Sequence, residues 1–296
     1  MTTPPSSSAT LRARLAVVAG VTAISFAAIL FKLAQPTHPL VASATRLGIS
    51  ALLLAPLTIR GWRRGKLRGR VGRDAILAGF LYALHFGAWV GSLDLISVAA
   101  SVTLVTATPV FLALVALVTG KDRPTARHGV SIAIALGGVL LIARAGPGDG
   151  AWSGNALALT GAFAMGLFLL VARRHGDSLD AWAFTGVACA VATVVLLACA
   201  LGAGVPLELG HADALFPLAM AALVPQLIGH GCLTWSLRHL KPTTVGLATV
   251  AEPVGSTLLA WVWLHEIPGP LTLVGCGIVL TAVVITLGAK SPSPSP

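Results

Sequence analysis

Residues 181–203 read AWAFTGVACAVATVVLLACALGA, a run of 23 positions without a charged side chain. About 20 apolar residues in a helix span the ~30 Å hydrocarbon core of a bilayer, so this run predicts a transmembrane helix. Its apolar residues follow one another continuously, whereas the strands of a membrane barrel alternate between apolar and polar positions. The segment therefore places the chain among helical membrane proteins.

The rest of the chain has the same character. Of its 296 residues, 56% are hydrophobic and 10% are charged, whereas a soluble domain carries about 25% charged residues. An ordinary water-soluble fold is therefore excluded, and apolar runs along the chain predict ten transmembrane helices. Their approximate bounds are Leu15–Phe31, Leu40–Ile59, Ala75–Ile96, Val98–Thr119, Gly129–Ala143, Ala151–Ala172, Ala181–Ala203, Ala214–Leu237, Thr243–Leu264 and Leu271–Gly288.

The positive charges predict the orientation. With a cytoplasmic N-terminus, 17 of the 20 Lys and Arg residues fall in inner segments, two (Lys32 and Arg144) fall outside, and Arg46 lies within a span. Cytoplasmic loops of membrane proteins carry such an excess. We therefore expect a multi-pass protein of the cell (plasma) membrane with both termini in the cytoplasm. Treating the first run as a secretory signal peptide is the alternative, and it would leave the other nine spans oriented as before.

The net charge of +10 does not indicate a nucleic-acid partner, because no basic stretch is interleaved with stacking aromatic residues. The four cysteines lack the spacing of a zinc or redox motif, so we expect no metal and no cofactor. The expected partners are a small-molecule substrate and membrane lipids, with anionic lipid at the basic loop Arg60–Arg73. A homodimer is left open.

The chain repeats itself at an offset of 144 residues. Ser92-Leu93 aligns with Ser236-Leu237, and Pro109-Val110 aligns with Pro253-Val254. Each half then holds five helices, and because five is odd the second half must enter the membrane in the opposite direction. The sequence thus predicts an all-α integral membrane protein of ten transmembrane helices in two inverted five-helix repeats. This arrangement is typical of secondary transporters, whose substrate site lies near the midplane.

Several of these positions resemble a known superfamily. His38-Pro39, Arg46, the Ser92-Leu93 ending of the third span, Pro109 and Glu252-Pro253 look like the drug/metabolite transporter superfamily, in particular its EamA-type members. The resemblance implies two EamA-like repeats that move small metabolites such as amino acids, often outward. One departure is that the first repeat has Thr108 where the second has Glu252, so chemistry done by this carboxylate is one-sided.

The domain boundaries follow from the repeat and from the composition of the ends. We place the first five-helix repeat at residues 14–145 and the second at residues 150–288. The Ser- and Pro-rich ends, residues 1–13 and 289–296, are expected to be disordered tails.

Ionisable residues inside a span cost roughly 2.5 to 3.5 kcal/mol on insertion scales and are functional candidates for that reason. Glu252 lies in the ninth span beside Pro253, whose missing N–H leaves a backbone carbonyl unpaired one turn earlier. Such a carboxylate is a candidate for substrate binding and for proton coupling, or else it pairs structurally with Arg46. Arg46 itself either binds a substrate carboxylate or extends its charge toward the membrane surface.

Two helical faces supply the other candidates for a substrate site. Tyr82, His85 and Trp89 share one face of the third span, and Gln226 and His230 share one face of the eighth span after Pro225. The offset of 144 sets Gln226 opposite Tyr82, so both faces are expected to point at one central space. The alternative is that these side chains join neighbouring helices by hydrogen bonds. Predicted helix breaks are Pro109, Pro225 and Pro253.

We therefore predict a secondary transporter of a small metabolite, an exporter of amino acids or related compounds, that works by alternating access and is not an enzyme. An intramembrane lipid-modifying enzyme is the first alternative, but no carboxylates within the predicted spans are paired at a metal-binding spacing. A passive channel is the second alternative. The inverted repeat favours alternating access over both.

Overall fold

The computed structural model describes residues 7–96, 98–119, 126–144, 152–264 and 269–287. Every regular element in this part of the chain is helical, which confirms the all-α prediction. The α-helices are α1 (Ser7–Ile24), α2 (Ala27–Leu33), α3 (Pro39–Arg63), α4 (Arg70–Ser92), α5 (Val98–Val105), α6 (Thr108–Thr119), α7 (Ala126–Arg144), α8 (Trp152–Arg173), α9 (Ala181–Gly202), α10 (Leu215–Ala221), α11 (Gly231–Ser236), α12 (Pro242–Thr249), α13 (Glu252–Leu264) and α14 (Pro270–Leu287). A π-helical segment, Ala222–His230, joins α10 to α11, and short 3-10 turns cover Gly176–Ser178 and Ala212–Ala214.

Seven helical stretches of the described residues are long and apolar enough to cross a membrane, and three shorter apolar helices accompany them. The number of ten spans stays a prediction. The seven are Thr10–Leu33, Pro39–Arg63, Arg70–Ser92, Trp152–Arg173, Ala181–Gly202, Ala212–Ser236 and Pro242–Trp263. The shorter three are Ser101–Val115, Gly129–Gly138 and Leu273–Ala282.

Two of the three predicted proline breaks have the expected form. The helix is interrupted at Thr106–Ala107 and again at Val250–Ala251, and Pro109 and Pro253 are each the second residue of the helix that follows. Proline is well suited to the first turn of a helix, since its missing N–H would have no partner there. Each interruption therefore directs the chain into a new helix at the level of the candidate site.

The third proline behaves differently, and one interruption has no proline at all. Pro225 lies inside the π-helical segment, which continues as helix on both sides, so it widens the helix and does not end it. Between α1 and α2 the helix is interrupted at Ser25–Phe26, where no proline or glycine predicts a break. Ser256 explains part of it, because its hydroxyl donates to the backbone carbonyl of Ser25 over 3.0 Å.

The predicted N-terminal tail is too long. Helix α1 begins at Ser7, so residues 7–13 are helical, while residues 1–6 lie outside the described part of the chain. These turns are held by packing, because Ala13 is fully buried and its carbonyl accepts a hydrogen bond from the Ser236 hydroxyl over 3.1 Å. The predicted C-terminal tail, residues 289–296, lies outside the described residues.

The helices pack mainly in pairs that join the two halves of the chain. Helix α3 packs against α9, α4 against α8 and α9, and α7 against α14. Gly79 shows how closely α4 approaches α9, since a Cβ atom built there would lie 2.5 Å from the Cβ of Val191. The core of the molecule is thus the interface between the halves.

One end of the molecule carries most of the described basic residues. Helix α3 ends at Arg63 and α4 begins at Arg70, and the turn between them exposes Arg64, Lys66 and Arg68. This end, with Arg60–Arg73 at its centre, is called the arginine-rich end below.

Candidate functional site

A small cavity lies between the two halves of the chain. Its volume is about 40 Å³, which leaves room for a few water molecules and no metabolite. Its polar wall residues are His85, Trp89, Thr106, Thr108, His230, Thr234, Thr249 and Glu252. Its apolar wall residues are Ile24, Ala27, Val105, Met165, Phe168, Leu169 and Leu233. The cavity therefore combines a large apolar surface with a few polar groups, as small-molecule sites do.

Helix α4 supplies two aromatic rings to the wall. His85 and Trp89 stack with their planes 17° apart and their centroids 6.1 Å apart. The Nδ1 atom of His85 lies 2.9 Å from the carbonyl oxygen of Gly161. A carbonyl only accepts hydrogen bonds, so Nδ1 carries the proton, and in the neutral ring Nε2 is left as an acceptor. The indole Nε1 of Trp89 is buried and has no hydrogen-bond partner among the described residues.

The π-helical segment brings His230 against this pair. The His230 ring lies 6.3 Å from His85 and 5.4 Å from Phe86, edge-on to both. The third and eighth predicted spans thus both contribute side chains to the wall of this cavity.

Glu252 lies on the opposite wall, in the first turn of α13 after the interruption at Val250–Ala251. It is 8% exposed, and no basic nitrogen of the described residues lies within 4.0 Å of its carboxylate. The expected structural pairing of Glu252 with Arg46 is therefore not made as a contact. Thr249 shares the wall with Glu252, whereas Ser256 bonds to Ser25 and does not line the cavity.

Arg46 lies in the layer behind the wall. It is fully buried, which rules out the alternative in which its charge extends to the membrane surface. Its Nη2 donates to Oε1 of Gln226 over 3.0 Å, and its guanidinium carbon lies 4.4 Å above the Phe86 ring. The Nε and Nη1 atoms have no hydrogen-bond partner among the described residues. The interior therefore holds a permanent positive charge that polar contacts satisfy only in part.

Tyr82 and Gln226 lie in the same second layer. Tyr82 is fully buried and stacks on Phe168, with centroids 4.1 Å apart and planes 17° apart. Its hydroxyl makes no hydrogen bond to the described residues, although Gln226 and Thr234 lie near it. Of the seven predicted site residues, four line the cavity and three stand behind it. The first group is His85, Trp89, His230 and Glu252, and the second is Arg46, Tyr82 and Gln226.

Sequence reasoning missed much of the wall, and the repeat would have found some of it. At the offset of 144, Trp89 corresponds to Leu233, Val105 to Thr249 and Thr108 to Glu252, and all six residues line the cavity. Carrying Trp89 and Glu252 across the repeat would have added Leu233 and Thr108 to the site. Nothing in the sequence marks Met165 and Leu169 on α8, because they are ordinary apolar residues of an apolar helix.

Comparison with known protein families identifies the family of this chain. The EamA-like transporter family matches the chain twice, over residues 11–144 and over residues 152–288. The chain belongs to the EamA-like transporter family. It is accordingly a multi-pass membrane protein of two-repeat architecture, and its family points to membrane transport and not to an enzyme.

Individual relatives of this EamA-like transporter are distant. The uncharacterized transporter YdfC of Bacillus subtilis (strain 168) is 25% identical over 185 residues, which is 62% of this chain and 60% of that protein. The match thus spans less than two thirds of that relative's length. A solved crystal structure shares the fold with a TM-score of 0.74 at 17% identity, covering 92% of this chain and 95% of the other.

Proposed function

We propose that this EamA-like transporter exports a small zwitterionic metabolite, an amino acid or a related compound, by secondary alternating-access transport. The observation that carries the proposal is the central cavity, which has Glu252 in its wall and Arg46 in the layer behind it. Neither charged group contacts a group of opposite charge among the described residues. Groups that are buried and unpaired in this way are the expected partners of a charged ligand.

The charge balance favours a zwitterion. Arg46 and Glu252 carry opposite charges within the membrane, so together they add no net charge to the interior. A substrate with net charge would leave one charge uncompensated in a low-dielectric site, which is costly. A zwitterion adds no net charge to the site. Its ammonium group matches the charge of Glu252, and its carboxylate matches the charge of Arg46. The apolar wall suits a substrate whose remaining part is aliphatic or aromatic.

The packing supports ten spans in two inverted repeats. Taking each interrupted helix as one span, helices α1–α7 make five spans and helices α8–α14 make five more. When the halves are exchanged by the offset of 144, α4 corresponds to the π-helical segment and α11, and α8 corresponds to α1. The α4–α8 contact then corresponds to the contact that α1 makes with the π-helical segment and α11, and both contacts are present. The same exchange leaves the α3–α9 and α7–α14 contacts unchanged. An odd number of spans per repeat then requires opposite orientations.

The small volume of the cavity also favours a carrier over a channel. A passive channel needs a continuous path, whereas this cavity admits only a few waters and is bounded by packed rings. An ATP-driven mechanism within this chain has no support, because the sequence has no Gly-x-x-x-x-Gly-Lys-Ser/Thr loop to bind phosphates. The positive charges of the arginine-rich end support a cytoplasmic position for this end and for both termini. The plasma membrane is the expected location.

Exchange in proteoliposomes tests the function. Vesicles loaded with one unlabelled amino acid are diluted into a trace of the same labelled amino acid, and its uptake is followed. A carrier is stimulated by internal substrate, and we expect that stimulation to disappear when the internal compound is N-acetylated or amidated, because each change removes one charge of the zwitterion. Uptake that is indifferent to internal substrate would contradict alternating access, and stimulation by both blocked forms would contradict the zwitterion.

The direction of transport is tested in cells. Deleting the gene should raise the internal level of the substrate found in vesicles, and restoring the gene should lower it. An unchanged internal level, with slower uptake from the medium, would identify an importer.

A further inference from the structure

The arginine-rich end holds a cluster that the cavity does not use. Asp74 lies near the start of α4, and His175 follows the end of α8. The Nε2 atom of His175 donates to Oδ2 of Asp74 over 3.0 Å, and their side chains are only 7% and 11% exposed. Arg70 and Arg174 each place a nitrogen 3.8 Å from the same carboxylate, but these side chains are 71% and 50% exposed. The enclosed contact is therefore the one between Asp74 and His175.

A second contact ties the same region to α11. The last residue of α8, Arg173, donates from Nη1 to the carbonyl oxygens of Leu237 and Arg238 over 2.7 and 3.3 Å. These carbonyls directly follow α11, where helical backbone acceptors are otherwise unpaired. Residues 173–175 thus connect the ends of α4, α8 and α11 at one side of the membrane.

A column of rings runs from this cluster to the cavity. His175 lies 6.3 Å from Phe184, Phe184 lies 6.3 Å from Phe168, and Phe168 stacks on Tyr82 at 4.1 Å. Phe168 is a cavity wall residue. Tyr82 follows Asp74 by eight positions on α4, which is about 12 Å along a helix axis. The path from the cavity to the arginine-rich end is therefore filled by aromatic side chains and closed at its end by the Asp74–His175 contact.

Among the described residues, the opposite end shows no equivalent of this contact. At the offset of 144, the position of Asp74 corresponds to Leu218, whose side chain cannot accept a hydrogen bond. The polar contacts described there include a 3.2 Å hydrogen bond between the exposed side chains of Gln35 and Asp94, and a 2.9 Å bond from the Gly210 amide to Thr37. The fold closes its two ends by different means.

We propose that Asp74 and His175 are positioning residues that lock the cytoplasmic gate of this transporter. Asp74 belongs to the first repeat and His175 to the second, and their helices α4 and α8 pack along one another. A motion that parts α4 from the end of α8 at the arginine-rich end must therefore break the Asp74–His175 contact. The Leu218 position leaves the outer gate without such a lock, so the contact favours the conformation closed to the cytoplasm. This inference rests on the proposed alternating access and adds the residues that set its conformational balance.

Accessibility of a cysteine in the cavity tests the lock without any substrate. Cys189, Cys199, Cys232 and Cys276 are replaced by alanine, and Thr234→Cys places one thiol in the cavity wall. A membrane-impermeant maleimide is then applied to inside-out and to right-side-out vesicles. Asp74→Leu and His175→Phe each remove the hydrogen bond between the two side chains, and His175→Phe keeps a ring against Phe184.

Both variants should raise the rate of labelling from the cytoplasmic side by about tenfold and lower it from the outer side, as a shift between two states requires. Arg70→Gln is the matched control, since it removes only an exposed contact with the same carboxylate, and it should change either rate less than about twofold. The swapped pair Asp74→His with His175→Asp should return both rates toward the parent values, which a fold defect would not do.

Each result decides one proposal. If both single variants label like the parent from both sides, the lock is refuted. If they raise labelling from both sides equally and the swapped pair does not reverse the change, the contact is structural only, and the lock is again refuted. If the parent itself is labelled at the same rate from the two sides and substrate exchange is absent, the proposed alternating access fails instead.

Discussion

Arg46 donates from Nη2 to Oε1 of Gln226 over 3.0 Å, and this contact joins α3 of the first half to the π-helical segment of the second half inside the membrane. The guanidinium also lies over the rings of Phe86 and Phe31, at 4.4 and 5.5 Å. Phe86 in turn touches His230 in the cavity wall. Arg46 therefore supports the wall from behind, and its charge is held in place by an amide and two aromatic faces.

Removing the side-chain amide of Gln226 should destabilise the protein. Gln226→Leu leaves the buried guanidinium without a hydrogen-bond acceptor, and we expect a loss of about 1–2 kcal/mol in the free energy of unfolding. Denaturation of the purified protein in mixed micelles measures it. Gln35→Leu is the control, because Gln35 is exposed and its hydrogen bond lies at the surface. A Gln226→Leu protein as stable as the parent would show that the Arg46 contact contributes nothing to the fold.

Glu252 should couple proton movement to transport. Glu252→Gln keeps the size and the hydrogen-bonding groups of the side chain but can neither titrate nor pair with an ammonium group. Substrate exchange should therefore persist with a weaker substrate affinity, while accumulation driven by a pH gradient is lost. Glu208→Gln makes the same chemical change in an exposed loop and should leave both activities intact. Uptake into proteoliposomes with and without a pH gradient measures the two activities. Accumulation by Glu252→Gln with an unchanged pH dependence would eliminate coupling through this carboxylate.

The two tryptophans at different depths should differ in their effect on substrate affinity. Trp89 is 3% exposed in the cavity wall, whereas Trp263 is 54% exposed on the outside of α13. Trp89→Phe reduces the stacking surface and removes the indole N–H, so the substrate concentration for half-maximal exchange should rise about two- to tenfold. Trp263→Phe should leave it unchanged. Equal changes in the two variants would argue that both residues act as membrane anchors.

A methyl group at the α4–α9 contact should loosen the core. Gly79→Ala would bring a Cβ atom within 2.5 Å of the Val191 side chain, and separating the helices to relieve this overlap should cost about 1–3 kcal/mol. Gly137→Ala on α7 meets nothing within 4 Å and should be neutral or stabilising through its helix propensity. Thermal unfolding of the two variants side by side gives the comparison. Equal stability would mean that α4 and α9 separate freely at Gly79.

Reporter fusions examine the orientation. A reporter after Lys290, or within residues 63–70 of the arginine-rich end, should give a cytoplasmic signal, since seventeen of the 20 basic residues are assigned to the inner side. A reporter in residues 203–211, between α9 and the following helices, should give an extracytoplasmic signal. An exchange of the two signals would invert the topology, and with it the side on which the Asp74–His175 contact lies.

The apolar runs of the sequence predicted the helices better than they predicted the interruptions of those helices. The break before Pro253 follows from the chemistry of proline, which cannot donate a backbone hydrogen bond. The break at Ser25–Phe26 depends on Ser256, more than two hundred residues away, whose hydroxyl binds the Ser25 carbonyl. A contact of that kind cannot be inferred from the residues around the break.

The candidate site likewise has a part that the sequence predicts and a part that depends on distant contacts. His85, Trp89, His230 and Glu252 were identifiable because polar and aromatic groups are costly inside a membrane unless they are used. Asp74 was missed because the apolar run was taken to begin at Ala75, whereas α4 begins at Arg70 and buries the Asp74 side chain against His175. Its partner lies 101 positions along the chain, beyond the reach of any local pattern.

The sequence by itself determined that most of the chain lies in lipid, that its fold is helical, that its two halves repeat and that it belongs to this family. Each of these depends on composition, on spacing along the chain or on a motif, which are properties that local residues carry without a fold. Only the tertiary structure decided which side chains form the cavity wall, that Arg46 pairs with Gln226 and not with Glu252, and that Asp74 and His175 meet at one end of the molecule. These depend on distances between helices, and helix packing fixes those distances through the shapes of side chains that are far apart in sequence.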